Sequence, residues 1–212
     1  MSLDFVAIDW ETANRYRSSP IQVGLAVVRD GQVTETWGSL MRPPRLFNRF
    51  DPDCVAIHGI LPPDVADKPT FLELWPEVER RFAGLPLVAH NAAFDIPVIR
   101  ETLRVSGLPS PTLDFACSLV LARHHCALER FGLDVVAADL GVSLSQHHDA
   151  VADAVACAGV TVRLAARAGA GSLGELLTVS GVEWGRLTAE TYEPCRDLPM
   201  VVEPAFEEAT LF

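Results

Sequence analysis

The run from Leu3 to Ile8 is apolar with scarcely an interruption and stops at Asp9. Such a run reads as a strand buried on both faces, and a sheet built on it needs helices on each side. The remainder of the chain supplies them. Ile21–Val28 and Val33–Met41 flank Arg29-Asp30-Gly31-Gln32, and Asp-Gly between two strand-like runs predicts a hairpin. A proline-rich loop is expected over 42–53, leading to Ile57-His58-Gly59-Ile60. A helix follows from about Thr70, with Phe71, Trp75, Val78 and Phe82 on one face and Pro76 as a point of break or restart. Leu85–Ala89 reads as a buried strand, after which Asn91 caps a helix running to about Val105 that Gly107 closes. Thr112–Phe115 is a candidate fifth strand, and Cys117–His125 and Leu133–Leu140 look helical. The longest helical signal, from about Asp149 to Ala168, is rich in alanine.

This order describes an α/β chain whose mixed sheet is covered by helices. A length of 212 residues suits one such domain with a short appendage. The expected division is a main domain over 1–170, a helical extension over 171–187 and an acidic, extended C-terminal tail over 188–212. With 49% apolar residues the chain can bury one sizeable core. No apolar run is long enough to cross a membrane, and the N-terminus has no basic, apolar and cleavage-site succession, so the expected location is the cytoplasm. Cys54, Cys117, Cys126, Cys157 and Cys195 are widely spaced, with no Cys-x-x-Cys pair. They read as free thiols in a reducing compartment.

The net charge of −11 cuts against a simple nucleic-acid binder, which needs a basic face. It does not exclude action on a polyanion if carboxylates hold divalent cations that meet the phosphate. The charge is also uneven. From Thr188 onward, Arg196 stands alone against Glu190, Glu193, Asp197, Glu203, Glu207 and Glu208.

Asp9 and Glu11 are two apart at the end of the first strand, so in a strand they share a face. Paired carboxylates there are costly without a cation, and such oxygen sites suit Mg²⁺ or Mn²⁺. The plainer reading ends the strand in solvent at Asp9, with Glu11 on a loop. Asp95 falls in the first turn of the helix after Leu87-Val88-Ala89-His90-Asn91, where an acid also complements the helix dipole. Asp149 and Asp153 lie four apart, as on a solvated helix face. His148, just before that helix, is a candidate general base. Chemistry alone leaves His147 equally eligible.

Asp9-Trp10-Glu11-Thr12, His90-Asn91-Ala92-Ala93-Phe94-Asp95, and His148 five residues before Asp153 together resemble the exonuclease motifs of the DEDDh family. The resemblance runs from about residue 3 to 165. The stretch Asp9 to Asn14 and Ile57-His58-Gly59-Ile60 are similar to stand-alone exonucleases of the DNA polymerase III epsilon type. The resemblance implies a ribonuclease H-like, five-stranded mixed sheet. It implies that Asp9, Glu11, Asp95 and Asp153 hold two ions, Mg²⁺ or Mn²⁺, and it selects His148 over His147 as general base. Thr12, Asp53, His58 and Asn91 become candidate substrate contacts, with Asp53 standing where a glutamate is usual. Trp10 reads as a packing choice.

The implied activity is 3'→5' removal of 5'-mononucleotides from a single-stranded or frayed 3' end of DNA. An exoribonuclease on the same scaffold is the alternative, since the contacts that sense the 2'-hydroxyl are not written in the motifs. A silent module binding strand ends or a replication protein is a further alternative. An aspartyl phosphatase would want Asp-x-Asp where Glu11 stands. The last residues, Glu208-Ala209-Thr210-Leu211-Phe212, are similar to C-terminal peptides that dock on the bacterial sliding clamp, with Leu211 and Phe212 as the anchor.

Overall fold

The computed structural model describes residues 2–82, 84–144 and 147–198. Strand β1 (Phe5–Thr12) is its centre, with Phe5, Val6, Ala7 and Ile8 fully buried. It runs four residues beyond the apolar run, so Asp9 and Glu11 are both inside the strand and Glu11 is not on a loop. β1 pairs antiparallel with β2 (Pro20–Arg29), and β2 with β3 (Gln32–Leu40). The β2–β3 turn has Asp30 and Gly31 both at positive φ, 50° and 74°, as an Asp-Gly hairpin requires. On its other edge β1 pairs parallel with β4 (Leu87–Ala89), which pairs parallel with β5 (Leu113–Cys117).

Four further short strands come from the C-terminal part of the chain. They are β6 (Val182–Glu183), β7 (Gly185–Leu187), β8 (Tyr192–Glu193) and β9 (Arg196–Asp197). β7 pairs antiparallel with β5, and β8 with β7, so the sheet has seven strands in the order β3-β2-β1-β4-β5-β7-β8. β6 and β9 form a separate pair. The expected five strands are its core. Residues 182–197, expected as a helix end and an extended tail, add strands instead. Their pairing is held by packing: Tyr192 stacks on Phe115 of β5, with ring centroids 5.8 Å apart.

The helices are α1 (Pro52–His58), α2 (Pro62–Val65), α3 (Phe71–Phe82), α4 (Ala92–Val105), α5 (Ser118–His125), α6 (Leu133–Asp139), α7 (Ala150–Ala168) and α8 (Leu173–Ser180). α3 runs unbroken through Pro76. Its buried face of Phe71, Trp75, Val78 and Phe82 offsets the one hydrogen bond a proline removes. The end of the proline-rich loop and the segment after it hold two helices that the sequence reading missed. α1 begins where Asp51 accepts from the Asp53 N–H with Pro52 at the first helical position. Trp10 is buried, and its ring lies 5.8 Å from that of Phe71 on α3. Asp9 and Glu11, one residue to either side, therefore face the opposite side of the sheet, where α7 lies. Among the described residues no helix is long and apolar enough to cross a membrane.

Candidate active site

α7 reaches β1 because two glycines let it. Gly24 is the register partner of Asp9, and Gly38 is the partner of Gly24. A Cβ on Gly24 would sit 1.9 Å from the Ala150 carbonyl oxygen, and one on Gly38 would sit 2.2 Å from Val151 Cγ2. The first turn of α7 thus rests directly on sheet backbone. Gln22, the register partner of Glu11, fixes the start of the helix: its Nε2 donates to Asp149 Oδ2 at 3.0 Å. Asp149 is the N-cap, accepting from the Ala152 N–H at 3.0 Å. Asp153 follows one turn later. One oxygen each from Asp9, Glu11 and Asp153 then falls within 4.8 Å of the others.

Asp95 enters from the β4–α4 junction. It is 2% exposed, and its Oδ1 accepts the Trp10 backbone N–H at 3.1 Å. Asn91 stands at the N-cap of α4, but its side chain makes no capping bond. Its backbone is left-handed at φ 71°, and its carbonyl accepts from the Phe94 N–H at 2.7 Å. The expected capping role is corrected: the turn is closed by backbone, which leaves the Asn91 side chain free at the cavity wall.

The four acids border one cavity of about 300 Å³ with Thr12, His58, Asn91 and His148. Asp53 is the exception among the expected contacts. It is exposed in the first turn of α1, where its N–H donates to Asp51 Oδ1 at 3.1 Å. Cys54, Ile57 and His58 are the residues of α1 that reach the cavity. Phe94, Leu133 and His90, to which the sequence reading gave no role, also line it, as does His147, the alternative it weighed as general base. His90 is held by Ser118 Oγ at 2.9 Å and the Phe131 carbonyl at 2.8 Å. Leu211 and Phe212 lie outside the described residues.

The electrostatics are one-sided. No lysine or arginine is among the described residues lining this cavity. Burial, then the charges of Asp95, Glu11, Asp153 and Asp149, push the Asp9 carboxyl well above the usual range. Burial, then Asp153, Asp95 and Asp149, raise Glu11 to about 8. Asp95 is also raised to about 8, chiefly by burial, against the opposing pull of the Trp10 N–H and Arg17. Carboxylates converging in this way without a protein cation are a donor set for hard divalent ions.

The two histidines divide their contacts. His147 Nδ1 lies 3.0 Å from Asp153 Oδ1 and 3.2 Å from Oδ2. His148 is half-buried and left-handed at φ 71°, and its backbone N–H donates to Asp153 Oδ2 at 2.9 Å. The rings stack with centroids 3.8 Å apart. Burial and the neighbouring His147 lower the His148 pKa, which favours the neutral imidazole.

Residues 6–161 match the RNase T family, described as exonucleases. The chain belongs to that family. Among its relatives, the DNA polymerase III PolC-type protein of Clostridium perfringens is 31% identical over 160 residues, covering 73% of this chain and 11% of that protein. The DNA polymerase III subunit epsilon of Escherichia coli is 31% identical over 141 residues, covering 63% of this chain and 57% of the subunit. The RNase T-family chain thus spans about a tenth of its PolC-type relatives. The fold resembles exonuclease X in complex with 5' overhanging duplex DNA, with TM-score 0.66, 22% identity, and coverage of 84% of this chain and 99% of that one. It also resembles the nuclease domain of 3'hExo, a DEDDh family member, with TM-score 0.65, 15% identity, and coverage of 76% and 90%. The ribonuclease H-like fold and the DEDDh resemblance of the sequence both stand.

Proposed function

We propose that this RNase T-family chain is a divalent-metal-dependent 3'→5' exonuclease that shortens DNA strands by one nucleotide at a time. The observation that carries the reading is the meeting of four carboxylates in one cavity that, among the described residues, no lysine or arginine lines. Asp9, Glu11, Asp95 and Asp153 would hold two cations, Mg²⁺ or Mn²⁺. Bound there, such ions supply charge neutralisation for the scissile phosphate and make the attacking water more acidic.

The rest is done by the chain. The neutral His148 imidazole accepts the proton of the attacking water. The water oxygen forms the new bond to phosphorus, the bond from phosphorus to the 3'-oxygen breaks, and that oxygen takes up a proton. The products are a 5'-mononucleotide and a strand shorter by one residue. His58 Nδ1 accepts from the Ile60 N–H at 3.0 Å, so its proton sits on Nε2, which is buried and, among the described residues, makes no well-formed hydrogen bond. The His58 side chain, with Thr12 and Asn91, lines the cavity where the terminal nucleotide would lie. Asp53, exposed away from the cavity, has no part in this reading.

DNA is favoured by the polymerase III names of the relatives and by the duplex DNA bound to exonuclease X. An exoribonuclease is the second reading. Its support is a pair of fold neighbours, one bound to rAMP and one recognising a histone mRNA stem-loop. Digestion of labelled single-stranded DNA, mismatched duplex DNA and RNA, each with and without EDTA, tests both. A silent binding module would leave every strand intact in all arms. The same proposal extends to the tail, where Leu211 and Phe212 would dock on a sliding clamp; deleting them should abolish clamp binding.

A further inference from the structure

We infer that the loops over 13–19 and 42–50 form a preassembled binding track for the nucleic-acid strand upstream of the terminal nucleotide. The inference rests on the exonuclease reading above and concerns a surface outside the cavity already described. These loops carry Arg15, Arg17, Arg42, Arg45 and Arg49 and contain no Asp or Glu, in a chain of net charge −11.

The track is built, not merely basic. Asn14 is buried, and its Nδ2 donates to the carbonyls of Phe47 at 2.9 Å and Arg49 at 2.6 Å, while its Oδ1 accepts from the Tyr16 N–H. One side chain thereby pins the two loops together. Between them lies a cavity of about 480 Å³ whose walls include Arg15, Arg49, Tyr16 and Leu46. Tyr16 is 62% exposed and Leu46 is 91% exposed. The Tyr16 ring is propped 5.8 Å from that of Phe47. Exposed aromatic and apolar surface among arginines is the combination single strands use, with bases stacking and phosphates pairing.

The track also adjoins the carboxylates. The 13–19 loop continues directly from Thr12 of β1, and the Arg17 guanidinium lies 3.9 Å over the ring of Phe94, a wall of the carboxylate cavity. α1 separates the two cavities: Asp51 and Pro52 at its start line the basic one, while Cys54, Ile57 and His58 line the acidic one. Among the described residues Arg15 is held only by Asp51, at 3.6 Å and 81% exposed, an ion pair weak enough to yield to a phosphate.

The test compares Arg15→Ala/Arg49→Ala and Tyr16→Ala with the native full-length chain and with Arg104→Ala, which removes an exposed charge elsewhere. Binding of a labelled ten-nucleotide single strand is read by anisotropy in EDTA, and kcat/KM on that strand and on a dinucleotide is read with Mn²⁺. Thermal unfolding of each variant checks folding. The double variant should lose on the order of tenfold more on the long strand than on the dinucleotide, and its log–log salt slope should fall by about 1.4. Tyr16→Ala should cut long-strand affinity by about five- to a hundredfold. Equal losses on both substrates, or none, overturn the track. So does competition by an acidic peptide but not by the oligonucleotide, which would make it a protein site. If the native chain binds the strand but cleaves nothing, the exonuclease reading fails while the track is still judged by its binding arm.

Discussion

Two neighbouring cavities, divided by a helix of seven residues, differ in the charge of their walls. Among the described residues, the first gathers Asp9, Glu11, Asp95 and Asp153 and no lysine or arginine; the second is lined by Arg15 and Arg49 against one acid, Asp51. A phosphodiester strand needs cations along its whole length. Over the bonds it keeps, fixed guanidinium groups serve. At the bond to be cut, exchangeable ions serve better, because they can sit on both sides of the phosphorus. On the proposed function, the contrast explains how a chain with pI near 4.9 would act on a polyanion.

The largest effect expected on this contrast comes from Asp9→Asn. Turnover of a labelled strand should fall by at least about a thousandfold, roughly the loss of electrostatic stabilisation at a reacting phosphate. Anisotropy should still report long-strand binding in EDTA. If binding vanishes with turnover, the two cavities do not act separately. His148→Ala should cost about 10²–10⁴ in kcat, as expected for removal of a general base, with affinity spared. Full activity in His148→Ala alongside a dead His147→Ala would transfer the role to His147.

Gly24→Ala comes next. Its new Cβ meets the Ala150 carbonyl oxygen, so α7 must lift and carry Asp153 away from Asp9. Overpacking of this kind costs about 1–3 kcal/mol, and a displacement near 1 Å can cost on the order of a hundredfold in rate. A crystal structure and kcat of the variant would check both. Unchanged kcat would mean that the helix-to-sheet contact does not set the carboxylate geometry.

The acid cavity should also leave a mark on stability. Glu11 and Asp95 sit at about 8 in the fold, against ordinary carboxylate values. Their folded-state pKa values are raised, so between about pH 4 and 8 the folded chain keeps protons that the unfolded chain has released. The metal-free protein therefore loses stability as pH rises through that window. Tm in EDTA should be higher at pH 5 than at pH 8, and Mn²⁺ should raise Tm more at pH 8. A larger Mn²⁺ effect at pH 5 would contradict the charge assignment. The smallest effect is expected for Asn14→Ala, which unpins the arginine loops: long-strand affinity should drop a few-fold while dinucleotide turnover changes less.

Much of this was legible in the residues. The five central strands, the alanine-rich helix and the four acids come from strong local signals, namely uninterrupted apolar runs and motif spacing. What escaped depended on contacts between distant segments. Gly24 and Gly38 are ordinary strand glycines until α7 is laid across them, although an isolated glycine in a strand does hint at close backbone approach. Asp53 looked like a site residue from the family resemblance, yet α1 turns Cys54 and Ile57 inward and Asp53 outward. The basic loops were hidden by the total charge, which averages them against the acidic C-terminal segment. The hold of His147 on Asp153 follows from a left-handed residue at 148, which no motif announces.

The pairing of β7 and β8 with β5 covers what would otherwise be an open edge of the sheet. Without residues 185–193, one side of β5 would offer a row of unmet N–H and C=O groups beside the bared ring of Phe115. Open edges of that sort invite a second chain to add a strand. A fragment ending at residue 170 would keep all four carboxylates and yet be prone to clump, so the C-terminal strands act as a hem on the sheet.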